Sequence, residues 1–208
     1  MGEAEARRGY RARRLGVNVM AGSLFPTINC LAFVAYSGAR IVYDPDYYVT
    51  GQPSSPAYAA LAQTGIRSVV CVRQPGEPVE PPPVPPPPPF DTTEQQQLGA
   101  LGVSYQNIPV WRTMSQAQFD TAATQAAVAF FENSLGGPAL IHCSTGDRAS
   151  SVFAALLILF GHPNAEAIDY TTNCLLLANS AMIALVKGYA PPADAAGRVR
   201  AVASRLRR

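Results

Sequence analysis

Apolar residues along this chain alternate between short β-branched runs and longer stretches with helical spacing. Ile41–Tyr43 and Tyr47–Val49 read as extended pieces, and Ile66–Arg73 (IRSVVCVR) reads as a buried strand. Val103–Val110 and Ala139–His142 read as further strands. Ser55-Pro56 has the form of an N-cap followed by Pro at the first helical position, opening a short helix that Gly65 closes. Asp91-x-x-Glu94 reads as a capping box for a helix ending at Gly102. Ser115-x-x-Gln118 caps a third helix that runs toward Glu132 and stops at Gly136-Gly137. Ser151–Phe160 predicts a helix stopped by Gly161, and an Ala/Leu-rich pattern predicts one long helix from about Ala165 to Lys187. Strands alternating with helices predict an α/β layer fold with helices on both faces of a sheet.

One segment breaks that rhythm. Of 19 prolines, ten lie between Pro75 and Pro89. Pro lacks the backbone donor that a ladder or helix needs, so this run predicts an exposed polyproline II insertion. It reads either as a passive surface loop or as a ligand for a polyproline-reading domain. The chain of 208 residues suits one folded unit, expected over residues 41–190, with a basic extension at 1–40 and an Arg-rich tail at 191–208.

Charge follows the same division. Residues 1–14 sum to +3 and residues 198–208 to +5, so the remainder carries −6 within a total of +2. An acidic folded part argues against nucleic acid as partner. The basic ends read as solvated helix faces, with an anionic surface as the alternative for 198–208. No charge lies between Arg14 and Arg40, a pattern resembling a signal anchor or transit peptide. Asn18, Ser23, Pro26, Thr27 and Asn29 dilute its hydrophobicity, and Glu3 and Glu5 do not suit a transit peptide, so a membrane span is disfavoured. Cys30, Cys71, Cys143 and Cys174 are scattered and only His142 and His162 accompany them, which shows no zinc-ligand spacing. Reduced thiols in an intracellular setting, cytoplasm or organelle, are expected, with no metal and no cofactor.

The chemistry concentrates in Ala139-Leu-Ile-His-Cys-Ser-Thr-Gly-Asp-Arg-Ala-Ser-Ser151. A short apolar strand delivers Cys143 into a tight loop, and a helix follows. Backbone N–H groups of Ser144, Thr145, Gly146, Asp147 and Arg148 are placed to converge on one anion, and Gly146 permits the turn. The helix N-terminus adds partial positive charge, and Arg148 supplies a two-pronged donor for a tetrahedral oxyanion. The same field favours a thiolate at Cys143, a nucleophile for phosphorus or sulfane sulfur. A plain core thiol is the alternative for Cys143, and it is the reading adopted for Cys30, Cys71 and Cys174. His142 reads as an organiser of the loop rather than a general base. Asp147 would oppose an anion if turned inward, and is expected to turn outward and bond backbone at the helix start.

These residues resemble the loop H-C-x-x-G-x-x-R-[ST] of the cysteine-phosphatase superfamily. His142, Cys143 and Gly146 fit, while Arg148 arrives one residue early, giving Cys-x4-Arg. In the Cys-x5-Arg register the arginine position is Ala149, and Ser150 fills the hydroxyl position. The phosphatase-like domain of beta-lactamase-hydrolase-like proteins is similar in more respects, including the short spacing. Tyr48-Val-Thr-Gly-Gln-Pro-Ser54 resembles its entry motif, Val70-Cys-Val-Arg-Gln-Pro-Gly-Glu77 its strand ending in Arg, and Gly102–Val110 its strand before the substrate-facing loop. The resemblance covers about residues 42–160. It implies a dual-specificity-phosphatase-like three-layer domain with a central sheet of four to five strands. It also places Arg73 near the site mouth, supporting the loop or binding substrate, with a salt bridge to Glu77 or Glu94 as the alternative.

Phosphatases of this superfamily draw their general acid from a mobile-loop Asp. The matching stretch, Ile108–Ser115, contains no carboxylate; Asp120 is the nearest, and the general acid stays unassigned. Trp111, Arg112 and Met114 are expected to rim the pocket. Three readings follow: a phosphatase-like hydrolase working through phosphocysteine, a rhodanese-like sulfurtransferase forming a persulfide on the same cysteine, or a non-catalytic anion-binding module with a polyproline interaction loop. The substrate therefore carries phosphate or sulfane sulfur.

Overall fold

Four short parallel strands lie side by side because their β-branched and aromatic residues face apolar layers on both sides. The computed structural model describes residues 28–31, 47–53, 57–77 and 90–205. In chain order the elements are β1 (Ile28–Leu31), β2 (Tyr47–Thr50), α1 (Ala57–Gln63), β3 (Ser68–Cys71), α2 (Phe90–Ala100), β4 (Ser104–Asn107), α3 (Gln116–Ser134), β5 (Ala139–His142), α4 (Asp147–Phe160), α5 (Asn164–Cys174), α6 (Ser180–Gly188) and α7 (Ala193–Arg205). The sheet order is β1-β2-β5-β3-β4; β1 pairs antiparallel with β2, and the other pairs are parallel. The architecture is the expected α/β sheet with helices on both faces.

Period-two alternation sorts the core into two clusters. Val49, Val70 and Ile141 join α3 and α4 residues such as Phe130 and Phe153 in the larger one. Val69 and Leu140 turn the other way, onto Tyr58 and Leu61 of α1 and Leu98 of α2. Every residue of α4 is buried, because α3, α5, α6 and α7 all pack against it. A helix apolar nearly all round is what such a central position requires. The register sets Thr50, Cys71 and His142 level at the carboxyl ends of β2, β3 and β5, the end of a parallel sheet where ligands bind.

The expected elements are present with trimmed ends. Only Ser68–Cys71 of Ile66–Arg73 and Ser104–Asn107 of Val103–Val110 join ladders. Ser115 forms the anticipated capping box with Gln118. The single long helix expected from Ala165 to Lys187 is two helices. Leu175 and Leu177 turn into the core, and Asn179 caps α6 by accepting from the Ala181 and Met182 amides. Helix α7 takes in part of the basic end expected as a solvated helix face, but it packs one side inward: Ala195, Ala196, Val199 and Ala203 are buried at helical spacing, while Arg198 stays exposed, 3.7 Å from Glu132. Strand β1 lies where only an extension was expected. Ile41–Tyr43, the Ser55-Pro56 cap, the proline run from Pro78 on and most of residues 1–40 fall outside the described residues. Among the described residues no helix is long and apolar enough to cross a membrane.

Phe153 of α4 is fully buried, edge-on to Tyr47 at 6.1 Å and Phe130 at 6.5 Å. Phe153→Ala is expected to lower unfolding stability by about 3–5 kcal/mol, measured by urea denaturation. A loss below about 1 kcal/mol would contradict this packing.

Candidate active site

Strand β5 ends at His142, α4 begins at Asp147, and four residues make the turn between them. Gly146 sits at φ +93°, the left-handed conformation open to glycine. A Cβ there would meet Leu176 Cδ1 at 2.2 Å, so both backbone and space require glycine. The Gly146 N–H donates to Cys143 Sγ at 3.1 Å. Helical N–H groups of Asp147, Arg148 and Ala149 lack a carbonyl four residues back within α4, which leaves the turn electropositive. Ser144 is half-buried and Thr145 is exposed at the crest. On its open side the turn is backed by the segment after β2. The Gln52 N–H donates to the Ser144 carbonyl at 2.9 Å, and a Cβ on Gly51 would stand 3.0 Å from that oxygen.

Arg148 is nearly buried and gripped from the far side. Its Nη1 donates to Glu77 Oε2 at 2.7 Å and to the Val110 carbonyl at 3.3 Å, and its Nη2 donates to Glu77 Oε1 at 2.5 Å. Burial opposes the charge of Arg148, but Glu77 and the neighbouring Cys143 outweigh it and raise its pKa. Glu77 is ordered in turn by Arg73, whose Nη2 donates to the Glu77 carbonyl at 2.5 Å and whose Nη1 donates to Gln52 Oε1 at 2.7 Å. Arg73 is buried, with its guanidinium committed to these walls. Its Nε lies 3.8 Å from Glu77 Oε1, so the salt bridge to Glu77 named as the alternative is present.

Asp147 and Ser150 tie the turn to the α5–α6 linker. Asp147 Oδ1 accepts from the Ala178 amide at 3.0 Å and the Asn179 amide at 2.9 Å, and its Oδ2 lies 3.8 Å from Arg112 Nε. The side chain therefore points away from the cradle, as expected. Its backbone partners belong to a distant segment rather than to the start of α4. Ser150 Oγ donates to the Gly146 carbonyl at 2.8 Å and accepts from the Leu176 amide at 3.1 Å.

Behind the turn, on the α1/α2 side, sequence reasoning missed a buried group. Glu94 was expected to close a capping box; instead it is 1% exposed and its Oε1 lies 3.1 Å from His142 Nε2. The fifth position of α2 faces the sheet, and the imidazole there outcompetes the helix end. Gln52 Nε2 donates to Glu94 Oε1 at 3.3 Å. His142 Nδ1 is 3.4 Å from the Cys143 carbonyl, which joins this group to the Cys143 turn. Burial opposes the imidazolium, yet Glu94 and Cys71 hold the His142 pKa well above its ordinary value. Burial raises the Glu94 carboxyl and the Cys71 thiol, and His142 outweighs it in both, leaving each below its usual range. The Tyr58 hydroxyl is raised by burial and by Glu94. The signal in the sequence was Glu94, a charge in the interior of α2 followed by an uncharged run to Ala100. Of the expected rim, Trp111 is half-buried, Arg112 exposed and Met114 buried. Asp120 bonds Gln116 at 2.7 Å within α3.

Burial pushes the Glu77 carboxyl up, but the paired bonds from Arg148 outweigh it and hold its pKa below the usual range. A carboxylate lowered in this way stabilises the fold above its unfolded pKa of about 4.3 and loses that contribution as pH falls through the native value. Glu77→Gln is expected to flatten the acid limb of stability against pH below about pH 4.5 in urea titrations. An unchanged acid limb would contradict the pairing.

No protein-family model matches the chain. Over 122 residues it is 29% identical to the beta-lactamase hydrolase-like proteins of Xylella fastidiosa strains Temecula1 and 9a5c, covering 58% of this chain and 25% of theirs. The chain thus spans about a quarter of the length of the curated relatives it matches. Among solved structures, the core catalytic domain of the PP-IP phosphatase SIW14 from S. cerevisiae aligns with a TM-score of 0.53 at 15% identity, over 77% of this chain and 88% of that one. TpbA of P. aeruginosa aligns with a TM-score of 0.50 at 16% identity, over 76% of this chain and 86% of that one. At these identities the likeness is one of fold. With the Cys143 turn at the carboxyl end of a parallel sheet, the chain has the dual-specificity-phosphatase-like fold and is similar in sequence to beta-lactamase hydrolase-like proteins.

Proposed function

We propose that the protein is a cysteine-dependent phosphatase-like hydrolase acting on phosphate monoesters. The observation that carries this reading is the shared turn: Cys143 Sγ accepts the Gly146 N–H at 3.1 Å, at the start of the helix that bears Arg148. Sulfur of Cys143 attacks phosphorus, the bond from phosphorus to the leaving oxygen breaks, and a phosphocysteine forms. Water then attacks phosphorus, the S–P bond breaks, and inorganic phosphate leaves with Cys143 regenerated. Amides of Ser144 to Arg148 and the Arg148 guanidinium hold the transferred group, while Arg73, His142 and Ser150 hold the turn. Ile108–Ser115 offers no carboxylate to protonate the leaving oxygen. Lack of a general acid costs about 10²–10⁴-fold, least where the leaving group is a stable anion, so aryl phosphates suit this site best.

A sulfurtransferase reading is favoured by one specific feature, the four residues between Cys143 and Arg148. There Cys143 attacks the sulfane sulfur of thiosulfate, the S–S bond breaks, sulfite leaves as a stable anion and a persulfide remains for an acceptor. No proton donor is needed.

Purified protein offered an aryl phosphate, and separately thiosulfate with cyanide, distinguishes the two. Turnover of the aryl phosphate, abolished by Cys143→Ser, is the expected result. Thiocyanate release without phosphate release would replace it with sulfur transfer, and neither would leave an anion-binding module. Arg148→Lys is expected to weaken phosphate binding by about 10–100-fold, since lysine cannot make the paired contact. Unchanged affinity, by competition against the aryl substrate, would contradict the cradle.

A further inference from the structure

We propose that Cys71, Glu94 and His142 form a binding site for a divalent cation of the zinc class, on the opposite face of the sheet from the helix that follows Cys143. The β3–β5 register sets Cys71 directly beside His142, and α2 lays Glu94 over both. One donor atom from each lies within 4.8 Å of the other two, and the three side chains are 3%, 0% and 1% exposed.

Two of these donors are buried without a hydrogen bond. His142 Nε2 is 3.1 Å from Glu94 Oε1 yet outside hydrogen-bonding geometry, and Glu94 Oε2 has no partner. An unsatisfied polar atom in an apolar layer is costly, and a bound cation would satisfy both at once. The imidazole is also oriented for ligation. A carbonyl can only accept, so the 3.4 Å contact with the Cys143 oxygen keeps a proton on Nδ1, and a cation would bind at Nε2, facing Cys71 and Glu94, by displacing the proton there. Gln52 fixes the carboxylate from outside.

The donor set selects the ion. Thiolate, imidazole and carboxylate together suit a borderline-soft tetrahedral cation rather than magnesium or calcium. Once the Nε2 proton is displaced, a thiolate and a carboxylate beside a neutral imidazole carry two negative charges, which one divalent cation balances in a region where uncompensated charge is expensive. Cys71 and Glu94 also line a cleft of about 10 Å³, together with Arg73, Glu77, Tyr105 and Asn107, that has room for a single water. The cation would pin His142, and through it the carbonyl of Cys143, from behind. The site is independent of the reaction at Cys143.

Cobalt(II) reports such a site through a thiolate-to-metal charge-transfer band. The full chain, stripped with chelator and titrated with cobalt, is expected to develop that band at one equivalent and lose it when zinc is added. Folded Cys143→Ser keeps the band and Cys71→Ser loses it. Glu94→Gln, which serves if Cys71→Ser fails to fold, weakens cobalt binding by at least about 10-fold. A band absent from the unsubstituted chain, absent from folded Cys143→Ser, or retained in Cys71→Ser overturns the proposal, as does unchanged affinity in Glu94→Gln.

Discussion

Asp147 begins a helix only five residues after the last residue of a buried strand, and that compression organises everything around it. The turn closes because Gly146 takes a left-handed φ of +93° and because Leu176 fills the space where any other side chain would project. Asp147 and Ser150 fasten the same turn to the α5–α6 linker through three backbone amides. One apolar helix, α4, anchors the assembly by burying every residue it has. The positive end of α4 and the sulfur of Cys143 are thereby held against each other without adjustable parts.

Charge is arranged in two shells about that turn. On the outer side Arg148, Glu77 and Arg73 form a chain in which each member orients the next. Glu77 fixes the guanidinium in place, the kind of ordering that the proposed anion site would require before binding. On the inner side Glu94, His142 and Cys71 sit in an apolar layer, and the Cys143 carbonyl and Gln52 join them to the turn. Preorganisation of this kind is what a site for a developing oxyanion requires.

Much of this was legible in the sequence, and the misses have physical causes. The β5 bounds, the Ser115 capping box and the turn at Cys143 were readable because local rules govern them: a short apolar run, a hydroxyl cap, a glycine before a helix. The α5–α6 break was not, since Leu175 and Leu177 fit a helical pattern and only their tertiary burial and the grip of Asp147 unwind the segment. The basic end was legible as a helix face, but its arginines hid the sparse stripe of alanine and valine by which α7 packs inward. Glu94 was misread because a capping box is a local signal, whereas its real partner, His142, lies 48 residues away across the sheet. The Cys71–Glu94–His142 group escaped notice for the same reason: strand register, not sequence spacing, brings it together.

The central claim is that Cys143 itself takes up the transferred group. The most direct measurement is to mix the protein with an aryl phosphate, quench with acid within the first turnover and locate any added mass by peptide mass spectrometry. The account predicts one phosphoryl group on the peptide containing Cys143, absent when Cys143→Ser is treated identically. Product release with a phosphoryl group on another residue, or with Cys143 unmodified at every quench time, would contradict it.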